Sequence, residues 1–156
     1  MFKAINLKKM FASVLIIGLI GAAPLIIASG AFAGWNELNL PDLAVPLNFL
    51  IIAWLVMFAL LGIALYFVQS SSSNHKKSAA SRFWLQMFFI FVWPILLFNL
   101  RAFGFAAIWM LITIAFIGIT IKNFSRVSKG AAYLFVPYLL LCLYLLYLNY
   151  GIFMLN

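Results

Sequence analysis

The sequence predicts an all-α fold: a polytopic membrane protein whose single domain, residues 1–156, is a bundle of five transmembrane helices. Composition is the first observation, because 68% of the residues are apolar and 8% are charged, whereas a soluble domain is about half apolar and about a quarter charged. The second is a mean hydropathy of +1.19. The third is that the apolar residues form five runs, each near the ~20 residues of a membrane-spanning helix. We therefore expect a lipid bilayer as partner and no nucleic acid.

Polar or turn-rich segments separate the five runs. The serine-rich, basic segment 70–77 is the clearest loop. The segment 99–102 is so short that the third and fourth helices should be antiparallel neighbours. A β-barrel would show shorter segments of alternating hydrophobicity, and the sequence has none. The predicted helices cover about 11–29, 47–68, 84–100, 103–121 and 131–154.

The first run has two interpretations. Lys3, Lys8 and Lys9 precede it, and Ala31-Phe32-Ala33, with small residues at its first and third positions, follows it. This pattern also describes a signal peptide cleaved after Ala33. The apolar stretch is longer than the h-region of about 7–15 residues that signal peptides carry. This length favours a retained first helix.

Basic residues are distributed unequally between the two sides of the predicted bundle. One side, formed by the N-terminus and the second and fourth loops, carries nine of the ten Lys and Arg residues. The other carries Arg101 together with both acids, Glu37 and Asp42. By the positive-inside rule the N-terminus is cytoplasmic and the C-terminus outside, and a bacterial plasma membrane fits this pattern. The nine are Lys3, Lys8, Lys9, Lys76, Lys77, Arg82, Lys122, Arg126 and Lys129.

The five runs lack the groups that drive most membrane chemistry. They contain no Asp, Glu, Lys, Arg or His, the residues from which proton relays and ion pathways are built. Cys142 and His75 each stand alone, so the sequence predicts no disulfide framework and no metal site. No nucleophile–base set or carboxylate pair is present. We expect no catalytic residues and no required cofactor.

Tryptophans provide the strongest hint of a binding site. Trp54, Trp93 and Trp109 each lie about 10 Å below the outer end of their own run, at 1.5 Å of rise per residue. Interfacial belts are the usual place for Trp, so three indoles at one greater depth are either packing or lipid-facing residues, or walls of a pocket for a large, flat, apolar ligand. The first loop, 30–46, would cover that pocket.

If the tryptophans line a pocket, its other residues come from the first loop and from the faces of the helices that also carry these tryptophans, at helical spacing. The candidate ligand-binding residues are Trp35, Pro41, Pro46, Trp54, Phe58, Gln86, Ile90, Trp93, Phe105, Trp109, Tyr138, Leu141, Leu145 and Asn149.

Several of these residues form motifs that resemble the TspO/MBR family, the tryptophan-rich sensory proteins and translocator proteins. The first loop has Trp35-x-x-Leu38-x-x-Pro41 followed by Pro46, and Leu38 thereby joins the candidate site. The similarity covers about residues 35–156. Further matching positions are Trp54, Gln86, Trp93, Trp109, Pro137-Tyr138, Leu148-Asn149 and Asn156.

The resemblance implies a five-helix bundle, usually a homodimer, with a pocket under the first loop that binds porphyrins and haem. It also implies binding of other flat hydrophobic ligands, such as sterols and benzodiazepine-like drugs. The sterol motif of animal members needs a basic residue after a Tyr in helix five, and none follows Lys129. The function expected from the resemblance is a tetrapyrrole-binding sensor or transporter.

Two alternatives remain open at this stage. Some bacterial members degrade protoporphyrin in light with two pocket tryptophans; Trp54 matches the first, while Leu141 occupies the second position and Ile90 replaces a family Asn in helix three. These departures argue against an enzyme, in which Trp54 would be the catalytic residue. The other alternative is an accessory membrane subunit without a ligand of its own.

Overall fold

The computed structural model describes residues 4–156, so Lys3 lies outside the described residues. Within this range the chain is helical without strands, and five spans are long and apolar enough to cross a membrane. The predicted all-α bundle of five membrane-spanning helices is confirmed. The elements are α1 (Leu7–Ala28), a 3-10 segment (Ser29–Glu37), α2 (Leu47–Ser70), α3 (Lys76–Pro94) with a following π-helical turn (Ile95–Asn99), α4 (Phe103–Ser125), the short α5 (Lys129–Tyr133) and α6 (Phe135–Leu155).

Several bounds differ from the prediction: α1 begins at Leu7, α4 ends at Ser125, and the predicted fifth helix is divided into α5 and α6. The largest differences are at α3 and in the first loop. α3 begins at Lys76, well before the predicted start at 84. Hydropathy marks only the apolar part of a helix, and the first turns of α3 carry Lys76, Lys77 and Arg82. The first loop, predicted over 30–46, is a 3-10 helix as far as Glu37.

Pro94 ends the regular part of α3. Proline has no N–H to donate to the preceding turn, and the chain continues as a π-helical turn in which the Leu100 N–H donates to the Ile95 carbonyl at 3.1 Å. Arg101 then adopts a positive φ of 48°. This tight connection makes α3 and α4 neighbours, as predicted.

Helix contacts arrange the bundle as a ring in the order α1, α2, α6, α4, α3. α1 and α2 approach most closely at Gly62, where a Cβ would lie 2.6 Å from Val14 Cα. The Ser13 hydroxyl donates to the Gly62 carbonyl at 2.7 Å. Small residues allow such close backbone packing in membranes, where lipid is as apolar as the helix surfaces. Apolar side chains such as Leu19 and Leu140 remain exposed on the outside, where lipid would contact them.

Candidate functional site: a tryptophan cavity under the first loop

Trp54 of α2 and Trp93 of α3 form a stacked pair inside the bundle. Their ring centroids lie 6.0 Å apart with planes 23° from parallel, and 4% and 3% of the residues' surfaces are exposed. Trp54 Nε1 donates to the Gly21 carbonyl at 2.8 Å, and Trp93 Nε1 donates to Asn149 Oδ1 at 3.0 Å. Because the protein satisfies both N–H groups, the pair offers a ligand its apolar ring faces.

Gly21 positions Trp54 against α1. A Cβ at Gly21 would lie 2.2 Å from the Phe58 ring, so the missing side chain lets Phe58 reach the α1 backbone. Phe58 in turn stacks on Trp54, with ring centroids 5.1 Å apart. The Gly21 carbonyl itself accepts the indole N–H of Trp54.

Asn149 of α6 holds Trp93 and joins three helices. The side chain is fully buried. Its Oδ1 accepts from Trp93 of α3, and its Nδ2 donates to the Phe103 carbonyl at the start of α4, at 2.8 Å. A buried amide with both ends satisfied fixes the rotation of each partner helix.

A cavity of about 30 Å³ lies beside the tryptophan pair. Pockets that hold drug-sized ligands measure about 300–1,000 Å³, so a large ligand requires this cavity to expand. Its walls are apolar. We call it the tryptophan cavity; it is lined by Leu25, Phe32, Trp35, Leu47, Leu50, Ile51, Trp54, Trp93, Leu97, Phe98, Leu145 and Leu148.

Trp35 closes this cavity from the 3-10 segment. Its residue surface is 4% exposed, and its ring lies 5.8 Å from that of Phe98, which also contacts Phe32 at 4.9 Å. The segment Ser29–Glu37 thus inserts two aromatic rings against the end of α3. We call residues 29–46, which are this segment and its connection to α2, the lid.

Polar contacts hold the lid at its edges. Glu37 and Arg101 form an exposed ion pair at 3.5 Å. The Asn39 N–H donates to Asn156 Oδ1 at 3.0 Å, and Asn156 Nδ2 donates to the Asn39 carbonyl at 2.9 Å. The Tyr144 hydroxyl donates to the Leu43 carbonyl at 2.8 Å. Exposed ion pairs contribute about 0–1 kcal/mol each, so the lid is held by several weak contacts.

A polar pair lies about two helical turns from Trp93, away from the lid. The Tyr138 hydroxyl donates to Gln86 Oε1 at 3.0 Å, and both side chains are buried. Gln86 Nε2 has no hydrogen-bond partner among residues 4–156. Phe58 contacts Tyr138 edge to face at 6.5 Å, so aromatic rings run continuously from the cavity to this pair.

Trp109 lies apart from the tryptophan cavity. Its Nε1 donates to the Phe89 carbonyl at 2.7 Å, and its ring packs against Phe89 and Phe105, with Phe105 itself 54% exposed. α4 buries a different face, which includes Ala106 and Met110. Equal depth therefore does not place Trp109 in the site, because its stripe faces the outer part of the α3–α4 contact.

A comparison with family models gives one match, to the family described as TspO/MBR, over residues 11–155 of the 156. The chain belongs to the TspO/MBR family. No curated protein matches it. The family region includes almost all of α1 and every later helix of this TspO/MBR protein.

The structure of this TspO/MBR member brings only some of the sequence candidates together. Trp35, Trp54, Trp93 and Leu145 line the tryptophan cavity. The remaining candidates surround it or lie elsewhere. Phe58, Gln86, Ile90, Tyr138 and Asn149 are buried behind it, Leu38, Pro41 and Pro46 belong to the lid and its connection to α2, Leu141 is half-buried on α6, and Phe105 and Trp109 lie on the outer face of α4.

Sequence reasoning missed several positions of the TspO/MBR site. Leu50 lies one turn before Trp54, and helical spacing places both on one face. Phe98 packs under the lid because the π-helical turn after Pro94 shifts its direction, and no periodicity signals that shift. Tyr144 holds a loop that lies about one hundred residues earlier in the chain. Only the tertiary structure reveals such a contact.

Proposed function

We propose that this TspO/MBR protein binds a tetrapyrrole, a porphyrin or haem, in the tryptophan cavity and acts as a membrane sensor or carrier. The observation that carries the proposal is the stacked Trp54–Trp93 pair beneath Trp35. Flat aromatic molecules stack on indole faces, and the N–H groups of Trp54 and Trp93 are already bonded within the protein. Other flat hydrophobic molecules, such as sterols and benzodiazepine-like compounds, fall within the same proposal.

Binding requires the lid to move. A macrocycle is much larger than a cavity of about 30 Å³. We infer that Trp35 withdraws and that the ligand takes its place against Trp54 and Trp93. The edge contacts of the lid, among them the Glu37–Arg101 ion pair, are weak. The main cost of opening is therefore the loss of the contacts of the buried Trp35 ring, which the ligand replaces.

Arg101 is suited to the acidic side chains of such a ligand. It is the one Lys or Arg on its side of the bundle, and it lies beside the lid in contact with Glu37. A porphyrin carboxylate that replaces Glu37 would keep the guanidinium paired. Arg101→Gln should therefore weaken binding of protoporphyrin IX relative to binding of its dimethyl ester, which has no carboxylate to lose.

The test is a titration of the purified protein with protoporphyrin IX, followed by tryptophan fluorescence. Trp54→Ala and Trp93→Ala should each raise Kd about tenfold, since an aromatic contact contributes about 0.5–1.5 kcal/mol beyond its buried area. Trp109→Ala is the matched control, because it removes the same side chain outside the cavity, and its Kd should stay unchanged. Circular dichroism checks that each variant folds.

Equal losses of affinity in the Trp54, Trp93 and Trp109 variants would reject the cavity as the site. Absence of saturable quenching by porphyrin, haem or sterol in the wild-type protein would reject the function and favour an accessory subunit without a ligand.

A second candidate is light-dependent porphyrin breakdown. The contact of Trp54 with Trp93 favours it, because a second indole lies beside the first even though Leu141 lies elsewhere on α6. Illuminated loss of protoporphyrin absorbance should then exceed a protein-free control and fall in Trp54→Phe. A rate equal to that control removes this candidate.

Orientation and assembly complete the proposal. Eight described basic residues lie on the side of the N-terminus and Arg101 on the other, so we propose a cytoplasmic N-terminus in a bacterial plasma membrane. Asp42→Cys should react with an impermeant thiol reagent in intact cells, and Asn74→Cys should not.

The homodimer implied by family resemblance should appear in light scattering of the detergent-solubilised protein.

A further inference from the structure

A second cavity of the described chain lies at the end of the bundle opposite the lid. It is an open groove of about 830 Å³ between the first half of α1, the end of α2 and the start of α3. We call it the basic groove. It shares no lining residue with the tryptophan cavity, and α1 and α3 instead meet near the lid, where Asn99 Nδ2 donates to the Ile27 carbonyl at 3.4 Å.

The lining of the basic groove changes from polar to apolar along its length. Lys9 and Lys76 lie at one end, and Ile16, Leu65 and Trp84 line the other. On α1 the distance from Lys9 to Ile16 is about 10 Å at 1.5 Å per residue. In a phospholipid, a similar distance separates the charged headgroup from the upper part of the acyl chain.

The polar end carries uncompensated positive charge. Lys76 is half-buried, and its ammonium donates to the Ser71 carbonyl at 3.1 Å, which leaves two further N–H donors. Lys9 is exposed on the facing helix. The two acids of the sequence, Glu37 and Asp42, belong to the first loop at the opposite end of the bundle. The groove therefore attracts an anion and has no carboxylate of its own to neutralise it.

Tyr66 adds a hydroxyl at the same end. Its residue surface is 6% exposed, and its oxygen accepts from the Asn6 N–H at 2.7 Å. That contact uses the oxygen as acceptor and leaves the hydroxyl proton to donate elsewhere. Two ammonium groups and a phenol thus supply donors of the kind that bind a phosphate.

We propose that the basic groove binds one anionic phospholipid, with its phosphate at Lys9 and Lys76 and an acyl chain along Ile16, Leu65 and Trp84. A soluble phosphate would use only the polar end, whereas a lipid matches both ends and reaches the groove from the leaflet. Each lysine near a membrane surface favours binding of an anionic lipid over a neutral lipid by about fivefold. The proposal is independent of tetrapyrrole binding.

Quenching of Trp84 by brominated lipid tests the proposal. The full chain is reconstituted in phosphatidylcholine vesicles that contain a small fraction of either phosphatidylglycerol or phosphatidylcholine with dibrominated acyl chains. Trp84→Phe identifies the Trp84 contribution by difference. The brominated anionic lipid should quench Trp84 at roughly 20-fold lower mole fraction than the brominated neutral lipid, from two lysines acting together.

A charge-matched pair of double variants separates the groove from general surface charge. Lys9→Gln with Lys76→Gln should abolish the preference for the anionic lipid, whereas Lys122→Gln with Lys129→Gln, on the same side but outside the groove, should retain it. Equal quenching by both lipids in the wild type, or equal loss in both double variants, would overturn the proposal. Binding of inorganic phosphate that Lys9→Gln with Lys76→Gln removes, without any preference of the wild type for the brominated anionic lipid, would show a simple anion site and would also overturn it.

Discussion

The tryptophan cavity and the basic groove lie at opposite ends of one bundle and differ in almost every property. The cavity is about 30 Å³, apolar and closed by Trp35; the groove is about 830 Å³, amphipathic and open. At the closed end, indole N–H groups bond to Gly21 and Asn149 on neighbouring helices. At the open end, Lys9 of α1 and Lys76 of α3 line the groove. The difference follows the depth in the membrane, because charged side chains are costly in the hydrocarbon core, whereas polar groups there are hydrogen-bonded between helices.

The largest effect is expected when the Asn149 amide at the closed end is removed. Asn149→Leu would leave the Trp93 N–H without a partner and remove the second hydrogen bond of the Phe103 carbonyl. An unsatisfied buried group costs about 1–3 kcal/mol, and a lost hydrogen bond about 1 kcal/mol. We expect the free energy of unfolding in detergent to fall by about 3 kcal/mol.

Asn123→Leu is its control, because the Asn123 amide bonds only to its own helix, at the Ile119 carbonyl. Brominated-lipid quenching at Trp84 should be unchanged in both variants. A loss of stability in Asn149→Leu no larger than in Asn123→Leu would contradict the role of Asn149 at the closed end.

A smaller effect is expected at the contact of α1 with α2, which both regions share. In Gly62→Ala the new Cβ would meet the backbone of Val14 at 2.6 Å, and overpacking of this kind costs about 1–3 kcal/mol. We expect a loss of about 2 kcal/mol in stability together with weaker porphyrin binding, because α1 carries Gly21, the acceptor of Trp54. Chemical denaturation and fluorescence titration measure the two effects.

Gly118→Ala provides the control for that substitution. No atom lies within 4 Å of the added Cβ, and alanine favours a helix over glycine by up to about 1 kcal/mol. Its stability should stay constant or increase. A similar loss in both variants would show that the close approach at Gly62 does not limit packing.

The smallest effect on stability is expected at the lid. Glu37→Gln removes an ion pair in which both side chains are exposed, so stability should change by less than about 1 kcal/mol. The association rate of the dimethyl ester of protoporphyrin IX should nevertheless rise, because one contact that holds the lid is lost. Stopped-flow fluorescence measures this rate, and an unchanged rate would show that the ion pair does not limit opening. Asp42→Gln, which removes the other acid without breaking an ion pair, is the control.

The sequence alone determined the number and order of the spans, since apolar length and the distribution of charge depend only on local composition. It also placed Trp54 and Trp93 at one depth, and the structure brings these two together. It placed Trp109 at that depth too, yet Trp109 is half-buried between α3 and α4 and does not line the cavity. Depth alone does not give the rotation of a helix, because these helices are apolar all round.

Only the tertiary structure decided which face of each helix lies inside. In water, a polar face marks the surface of a helix; in a membrane, lipid and protein interior are equally apolar, and this signal is missing. The buried face of each helix is set instead by contacts that leave little signal in the sequence. These are the close approach of Phe58 to Gly21, the hydrogen bonds of the Asn149 amide and the π-helical turn after Pro94. The same tertiary contacts decided that one end of the bundle is closed by a lid and the other left open beside its lysines.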